Sequence, residues 1–272
     1  MVYVIKSNGE RQEFDVEKVR YALERSGASK ELAAEIAGKV LEQAKDGIST
    51  GKIYGLAYGL LEKQNLTAAA KFSLKQAIML MGPTGFPFEK YVARLLSARG
   101  FKTQTNLVLA GECVTEEIDV RAEKGSDCYM VECKYHNEPG YRTGLKEALY
   151  TWARFEDVTG GGHRFTCPWI VTNTKLSDDA IKYATCKRMK MTSWGYPEGE
   201  SLQEIIEAEG LYPITILVGL GEESRKKLFE AGITLIKDMV KLEDKELIEL
   251  GALKEDELKR LRQQANELTK GV

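Results

Sequence analysis

Hydrophobic and polar positions divide the chain into three stretches of different rhythm. Val2 to Lys6 alternates with the two-residue period of a short strand, Ser7-Asn8-Gly9 reads as a turn, and Glu10 to Phe14 as the returning strand. The rhythm then becomes helical. Asp15 is placed to cap a helix with apolar positions Val16, Val19, Tyr21 and Leu23, and Ser29 a second with Leu32, Ile36 and Val40 on one stripe. Thr50 and Thr67 precede a third and a fourth helix. Met81-Gly82-Pro83-Thr84-Gly85-Phe86-Pro87 breaks the pattern and marks a domain boundary.

Beyond that break, helix and strand alternate. Glu89 to Ala98 predicts a helix that ends at Gly100. Thr103 to Leu109, Glu117 to Ala122 and Cys128 to Tyr135 predict strands, the last two joined across Gly125-Ser126. Leu145 to Phe155 is helical, Gly160-Gly161-Gly162 a flexible loop, Trp169 to Thr172 a strand and Asp178 to Lys187 a helix. From Leu211 the chain is helical and highly charged, with Val218-Gly219-Leu220-Gly221 opening one helix and Ala231-Gly232-Ile233 separating it from the next. The expected fold is therefore multidomain, of α+β and α/β character. Residues 1–82 form a helical domain capped by a β-hairpin, 83–200 an α/β core with a mixed sheet, and 211–272 a small helical domain.

Composition narrows the chemistry. Apolar residues make up 43% of the 272 and charged residues 29%, which indicates a globular chain. The net charge of -2 supplies no strong overall field, so contact with nucleic acid must come from local patches. The five cysteines form no CxxC pair and there are two histidines, so neither a zinc site nor a disulfide framework is expected. No apolar run is long enough to span a bilayer and MVYVIKSNGE has no apolar signal core, so no membrane partner and a reducing cytoplasm are expected.

The informative stretch is Glu117-Ile118-Asp119-Val120, a turn, and then Met130-Val131-Glu132-Cys133-Lys134-Tyr135. Alternate residues of a strand share a face, so Glu132 and Lys134 point the same way, and Asp119 on the preceding strand lies close enough to meet them. A Glu-x-Lys pair is ordinarily a solvated strand face. Here the carboxylates lie within apolar strands, which favours a built site. Two carboxylates and an ammonium suit phosphodiester hydrolysis. Asp119 and Glu132 would ligate Mg²⁺ or Mn²⁺, with the Cys133 carbonyl a third ligand, and Lys134 would place the attacking water or steady the developing charge. Glu89 would add an outer carboxylate. His136 lies on the same predicted face, where a partly exposed strand-end histidine competes with a phosphate contact.

These residues resemble the PD-(D/E)XK superfamily and, within it, the Mrr-like restriction endonucleases. A helix glutamate, a strand aspartate and a strand Glu-x-Lys fall here at Glu89, Asp119, Glu132 and Lys134. The resemblance covers about Phe88 to Trp194 and implies a restriction-endonuclease-like core that cuts DNA with a divalent metal. One departure is the helix near Lys146 and Tyr150, which lacks the glutamine that Mrr-like members often carry.

Val4-x-Lys6-x-Asn8-Gly9 on a hairpin, followed by Asp15, Lys18 and Val19 at a helix start, resembles the ATP-cone domain over about Val2 to Met81. The resemblance implies an ATP or dATP effector, with Lys6 and Lys18 at the phosphates and Thr50 near the base. Ser7, Gln12 and Tyr54 depart from the family pattern. Two lysines facing one pocket suit a triphosphate, and a domain that only assembles a homo-oligomer is the alternative. Val218-Gly219-Leu220-Gly221 with Arg225, Lys226 and Lys227 resembles a helix-hairpin-helix element. Glu222 and Glu223 directly after the turn repel phosphate, which favours a structural or dimerising role over DNA contact.

The expected activity is thus a metal-dependent DNA endonuclease under nucleotide control. The alternatives are a nucleotide-responsive DNA-binding regulator on an inactive nuclease fold, a branched-DNA repair nuclease, and a regulator related to ribonucleotide reductase. The complete Asp119, Glu132 and Lys134 set argues against an inactive fold.

Overall fold

A computed structural model of the chain describes residues 2–82, 85–138, 140–251 and 253–270. Pro83 and Thr84, in the predicted boundary segment, lie outside the described residues. The chain forms two compact units, one from the residues up to Ala77 with those from Pro213 onward, the other from Ile78–Tyr212. The first and third stretches of the sequence therefore fold as one body.

In the first unit, β1 (Tyr3–Ile5) pairs antiparallel with β2 (Arg11–Glu13) and parallel with β3 (Ile48–Ser49). Each of the next four helices starts at a side-chain cap that satisfies an otherwise orphan N–H. Asp15 caps α1 (Val16–Arg25), Ser29 caps α2 (Lys30–Gln43), Ser49 caps α3 (Thr50–Glu62) and Asn65 caps α4 (Leu66–Phe72). Thr50 and Thr67 thus lie inside their helices rather than before them. The change of unit falls within α5 (Leu74–Met79). Leu23, Ile36, Val40, Ala57 and Leu61 form the core, while Tyr21, predicted on the buried stripe, is exposed.

The returning chain adds α10 (Glu222–Glu230), α11 (Ile236–Lys241), α12 (Asp244–Gly251) and α13 (Glu255–Thr269) to this unit. α13 packs on α4, where Thr67 Oγ1 donates to the Glu267 carboxylate at 2.6 Å. The amide of buried Gln264 both donates to the Val218 carbonyl, at 3.0 Å, and accepts from its N–H, at 2.9 Å. The turn that opens α10 is thereby tied to α13.

The second unit is a five-stranded mixed sheet with helices. α6 (Phe86–Ala98) precedes β4 (Lys102–Ala110), β5 (Thr115–Lys124) and β6 (Asp127–Lys134), an antiparallel meander. After the short β7 (Arg142–Thr143), α7 (Leu145–Gly160) carries the chain to β8 (Cys167–Thr172), parallel to β6. β9 (Lys175–Leu176) pairs with β7, and α8 (Asp178–Lys187) leads to β10 (Lys190–Thr192), parallel to β8. α9 (Leu202–Glu209) packs on α6. The strand order is β10-β8-β6-β5-β4, so β6 is central. That position explains why Met130, Val131, Glu132 and Cys133 are buried in succession, without the alternation of a half-exposed strand. Several boundaries differ from expectation by a few residues; among them, Tyr135 lies beyond β6, and Gly160 is the last residue of α7 rather than part of a loop.

Candidate active site

The sheet opens around Asp119. On one side the β5–β6 ladder stops at Val120↔Val131, one step before Asp119 would meet Glu132. On the other, the β4–β5 register passes from Thr105↔Val120 to Leu107↔Ile118 and omits Asn106 opposite Asp119. Asn106 has a φ of 55°, a left-handed conformation rare for a non-glycine residue and rarer still inside a strand. The Asp119 side chain replaces a missing ladder bond, its Oδ2 accepting from the Cys133 N–H at 2.7 Å. The aspartate is thereby fixed against β6, with its other oxygen uncommitted to that bond.

Glu132 is 4% exposed, and both its oxygens meet cations. Oε1 accepts from Lys134 Nζ at 2.5 Å, as the shared strand face requires. Oε2 accepts from Arg154 of α7, which is not among the residues expected from the sequence. Arg154 also donates from Nε to Glu116 at 2.6 Å and from its remaining nitrogen to the Glu117 carbonyl. Burial opposes the charge on this guanidinium, but Glu132 and Glu116 outweigh it and raise its pKa. A signal was present. Arg154 falls on the helical stripe of Thr151 and Val158, both buried, and a charge on a buried stripe needs a partner.

Electrostatically the site is short of positive charge. Burial pushes the Asp119 carboxyl up to about 7, Glu132 and Glu89 add to the rise, and the Cys133 N–H and Lys134 offset only part of it. Glu89, on α6, is also raised, first by burial and then by Glu117 and Glu132, while a hydrogen bond from Asn106 opposes the rise. Asp119, Glu132, Lys134 and Glu89 are thus brought within reach of one another's charge. The Cys133 thiol is held protonated by burial, so its side chain supplies no thiolate ligand. Among the described residues no group of three or more His, Cys, Asp or Glu side chains is arranged to hold a metal ion by itself. The expected oxygen set, two carboxylates and a carbonyl, would suit Mg²⁺ or Mn²⁺, cations that keep several waters. The fit rests on Asp119: a desolvated carboxylate beside a second one is stabilised by an added cation.

His136 lies in the loop beyond β6. Its N–H donates to Asn173 Oδ1 at 2.9 Å, its carbonyl accepts from Asn173 Nδ2 at 2.7 Å, and its ring stacks on Tyr141 at 3.7 Å between centroids. Burial lowers its pKa, so it adds no positive charge near neutral pH.

In the first unit, β1 brings Val4 beside Ile48 and Ile5 beside Ser49, which sets Lys6 near the start of α3 and Thr50. Lys6 pairs with Glu10 at 3.1 Å and Lys18 with Asp15 at 3.7 Å, both pairs in solvent. Asn8 Oδ1 accepts from the Glu10 N–H at 3.2 Å, and Gly9 has the positive φ that the turn needs. Val4 is a core residue and Val19 packs against the same core, so these two support the hairpin–helix junction with their side chains.

Comparison with known proteins matches each stretch to a family. Residues 2–75 match the ATP cone domain, 81–196 the restriction endonuclease family and 212–269 the AF1548-like C-terminal family. An uncharacterized protein of Archaeoglobus fulgidus is 51% identical over 160 residues, 59% of this chain and 90% of that protein. A crystal structure described as AF1548, a protein of unknown function, is 43% identical with a TM-score of 0.60, covering 70% of this chain and 100% of that one. The chain therefore belongs to the family of the Archaeoglobus fulgidus protein, and in it an ATP cone domain, a restriction endonuclease domain and an AF1548-like C-terminal domain are joined.

Proposed function

We propose that the protein is a metal-dependent DNA endonuclease that hydrolyses phosphodiester bonds, and that ATP or dATP binding to its ATP cone regulates it. The observation that carries the reading is the opening of the sheet at Asp119, where an unladdered carboxylate meets Glu132 and Lys134. Asp119, Glu132 and the Cys133 carbonyl hold Mg²⁺ or Mn²⁺. Bound there, the cation supplies Lewis-acid activation and neutralises charge on the scissile phosphate. Lys134, whose ammonium lies 2.5 Å from Glu132, orients an attacking water or a phosphoryl oxygen in this reading. Glu89 draws on the same field from α6 as an outer carboxylate. Each chain carries one such site and a double-strand break needs two cuts, so a homo-oligomer is the expected working form.

The nucleotide reading rests on the ATP cone match and on the hairpin that carries Lys6, Asn8 and Gly9 to the start of α3. Val4, Asp15, Lys18, Val19 and Thr50 complete that site.

Cleavage of supercoiled plasmid with and without Mg²⁺ or Mn²⁺, by wild type beside Lys134→Ala, is the test. Metal-dependent nicking that disappears in the variant is expected. Nicking that persists in Lys134→Ala removes the assigned role of Lys134. A synthetic four-way junction cut in preference to plasmid assigns the activity to branched DNA instead.

A further inference from the structure

Arg154 is the buried charge that the proposed chemistry leaves without a part. Its side chain is 9% exposed, and its nitrogens reach Glu116, Glu132 and the Glu117 carbonyl. Glu116 and Glu117 belong to β5 and Glu132 to β6, so the guanidinium spans the two strands where their ladder has ended. A planar fork with fixed donor directions performs this task and a flexible ammonium does not. The ring of Tyr150, one turn earlier on α7, has its centroid 5.4 Å from the Arg154 guanidinium and 5.7 Å from the Lys134 ammonium, so it adjoins both cations that grip Glu132.

The consequence concerns how Glu132 presents itself. Oε2 is held by a buried, multiply anchored guanidinium, whereas Oε1 meets the ammonium of the partly exposed Lys134, which has the freedom to move aside for a cation. A carboxylate held in this way ligates through one oxygen. Mg²⁺ and Mn²⁺ take single carboxylate oxygens in near-octahedral geometry, whereas Ca²⁺ is larger and gains from bidentate carboxylates. We propose that Arg154 is a positioning residue that restricts Glu132 to one-oxygen coordination and so selects Mg²⁺ and Mn²⁺ over Ca²⁺. This inference rests on the reading of Asp119 and Glu132 as metal ligands.

Calorimetric titration of the full chain with Mn²⁺, Mg²⁺ and Ca²⁺, in the absence of DNA, tests it. In Arg154→Lys, affinity for Mn²⁺ and Mg²⁺ falls roughly 10–100-fold, the usual range for loss of a group that orients a metal ligand. Ca²⁺ affinity is retained or improves, because Glu132 is free to offer both oxygens. Glu116→Gln leaves Arg154 in place, weakens its anchor on β5 and shifts the Mn²⁺-to-Ca²⁺ ratio in the same direction by less. Circular dichroism establishes which variants are folded, and Glu116→Gln decides the matter if the lysine variant is not. An unchanged ratio in the folded variants overturns the role of Arg154 while leaving the metal site standing. Wild type that binds none of the three cations, or Asp119→Asn that binds them as wild type does, overturns the metal site itself and the role of Arg154 with it.

Discussion

Asp119 stores an electrostatic cost in the folded chain. Its carboxyl is pushed up to about 7 from an ordinary value of 3.8, chiefly by burial. Between those values the folded state holds a proton that the unfolded state has released. Stability therefore falls as pH rises through this window and is level above it, with a ceiling on the order of 4 kcal/mol for a shift of this size. Asp119→Asn keeps an oxygen to accept from the Cys133 N–H and removes the charge. The variant is expected to melt at higher temperature than wild type at pH 8, to match it at pH 4, and to be inactive in plasmid cleavage. Equal melting temperatures at pH 8 would contradict the burial argument. The same residue links metal binding to protons: at pH 6 each cation bound releases up to one proton, so affinity rises with pH and levels off above about 7. The spacing of Glu132 and Lys134 and the apolar neighbours of Asp119 made this trio legible in the sequence. Arg154 was not legible as a partner of Glu132, because that pairing joins residues 22 apart through the packing of α7. Asn106 left a fainter trace, as a residue that strands disfavour in the middle of an alternating run.

At the scale of elements, long periodic segments and the β1–β2 hairpin, marked by its turn residues, were readable, and the other short strands were not. α2, α7, α8 and the strands β4 to β6 follow the expected pattern, and α8 begins and ends at the predicted residues. β3, β7, β9 and β10 span two or three residues, too few to show a period, and exist through pairing with distant strands. The Gly160-Gly161-Gly162 run shows how composition misleads. Read as a flexible loop, it in fact closes α7 and lets the β4–β5 turn approach. A Cβ at Gly161 would lie 2.5 Å from the Ala110 carbonyl oxygen and 2.7 Å from the Gly111 carbonyl carbon. Both obstacles are backbone, which cannot swing aside as a side chain does. Gly161→Ala is therefore expected to cost about 1–3 kcal/mol, the usual range for overpacking. A lowered urea midpoint with an unchanged slope would report it. A midpoint equal to wild type would return the run to the status of a loop. The neighbouring Gly160 meets the Glu112 side chain instead, which has freedom to move, so Gly160→Ala is expected to be milder.

Across the whole molecule, the ATP cone and the AF1548-like segment share one compact unit although 135 residues, Ile78–Tyr212, separate them in sequence. Sequence periodicity reports where helices form, not which distant helices pack together, so the α4–α13 contact was hidden from it. The bond from Thr67 to Glu267 and the double bond between Gln264 and Val218 make the C-terminal helices part of the body that carries Lys6 and Lys18. If nucleotide binding to this unit regulates the nuclease, as proposed, the expected relation between the two ligands follows from linkage. If ATP or dATP alters DNA affinity by some factor, bound DNA must alter nucleotide affinity by the same factor. Nucleotide titrations of Glu132→Ala, which is expected to hold DNA without cutting it, should therefore give different dissociation constants with and without an oligonucleotide duplex. Lys6→Ala and Lys18→Ala should each weaken nucleotide binding by roughly threefold to tenfold, less at high salt, because both ammoniums lie in solvent and act as screened point charges. Equal nucleotide affinity with and without DNA, together with ATP that changes neither cleavage nor assembly, would mean that the cone does not regulate the nuclease. A shift in both titrations by a common factor would establish regulation as a property of the joined chain, since neither the cone nor the sheet that carries Asp119 holds both ligands.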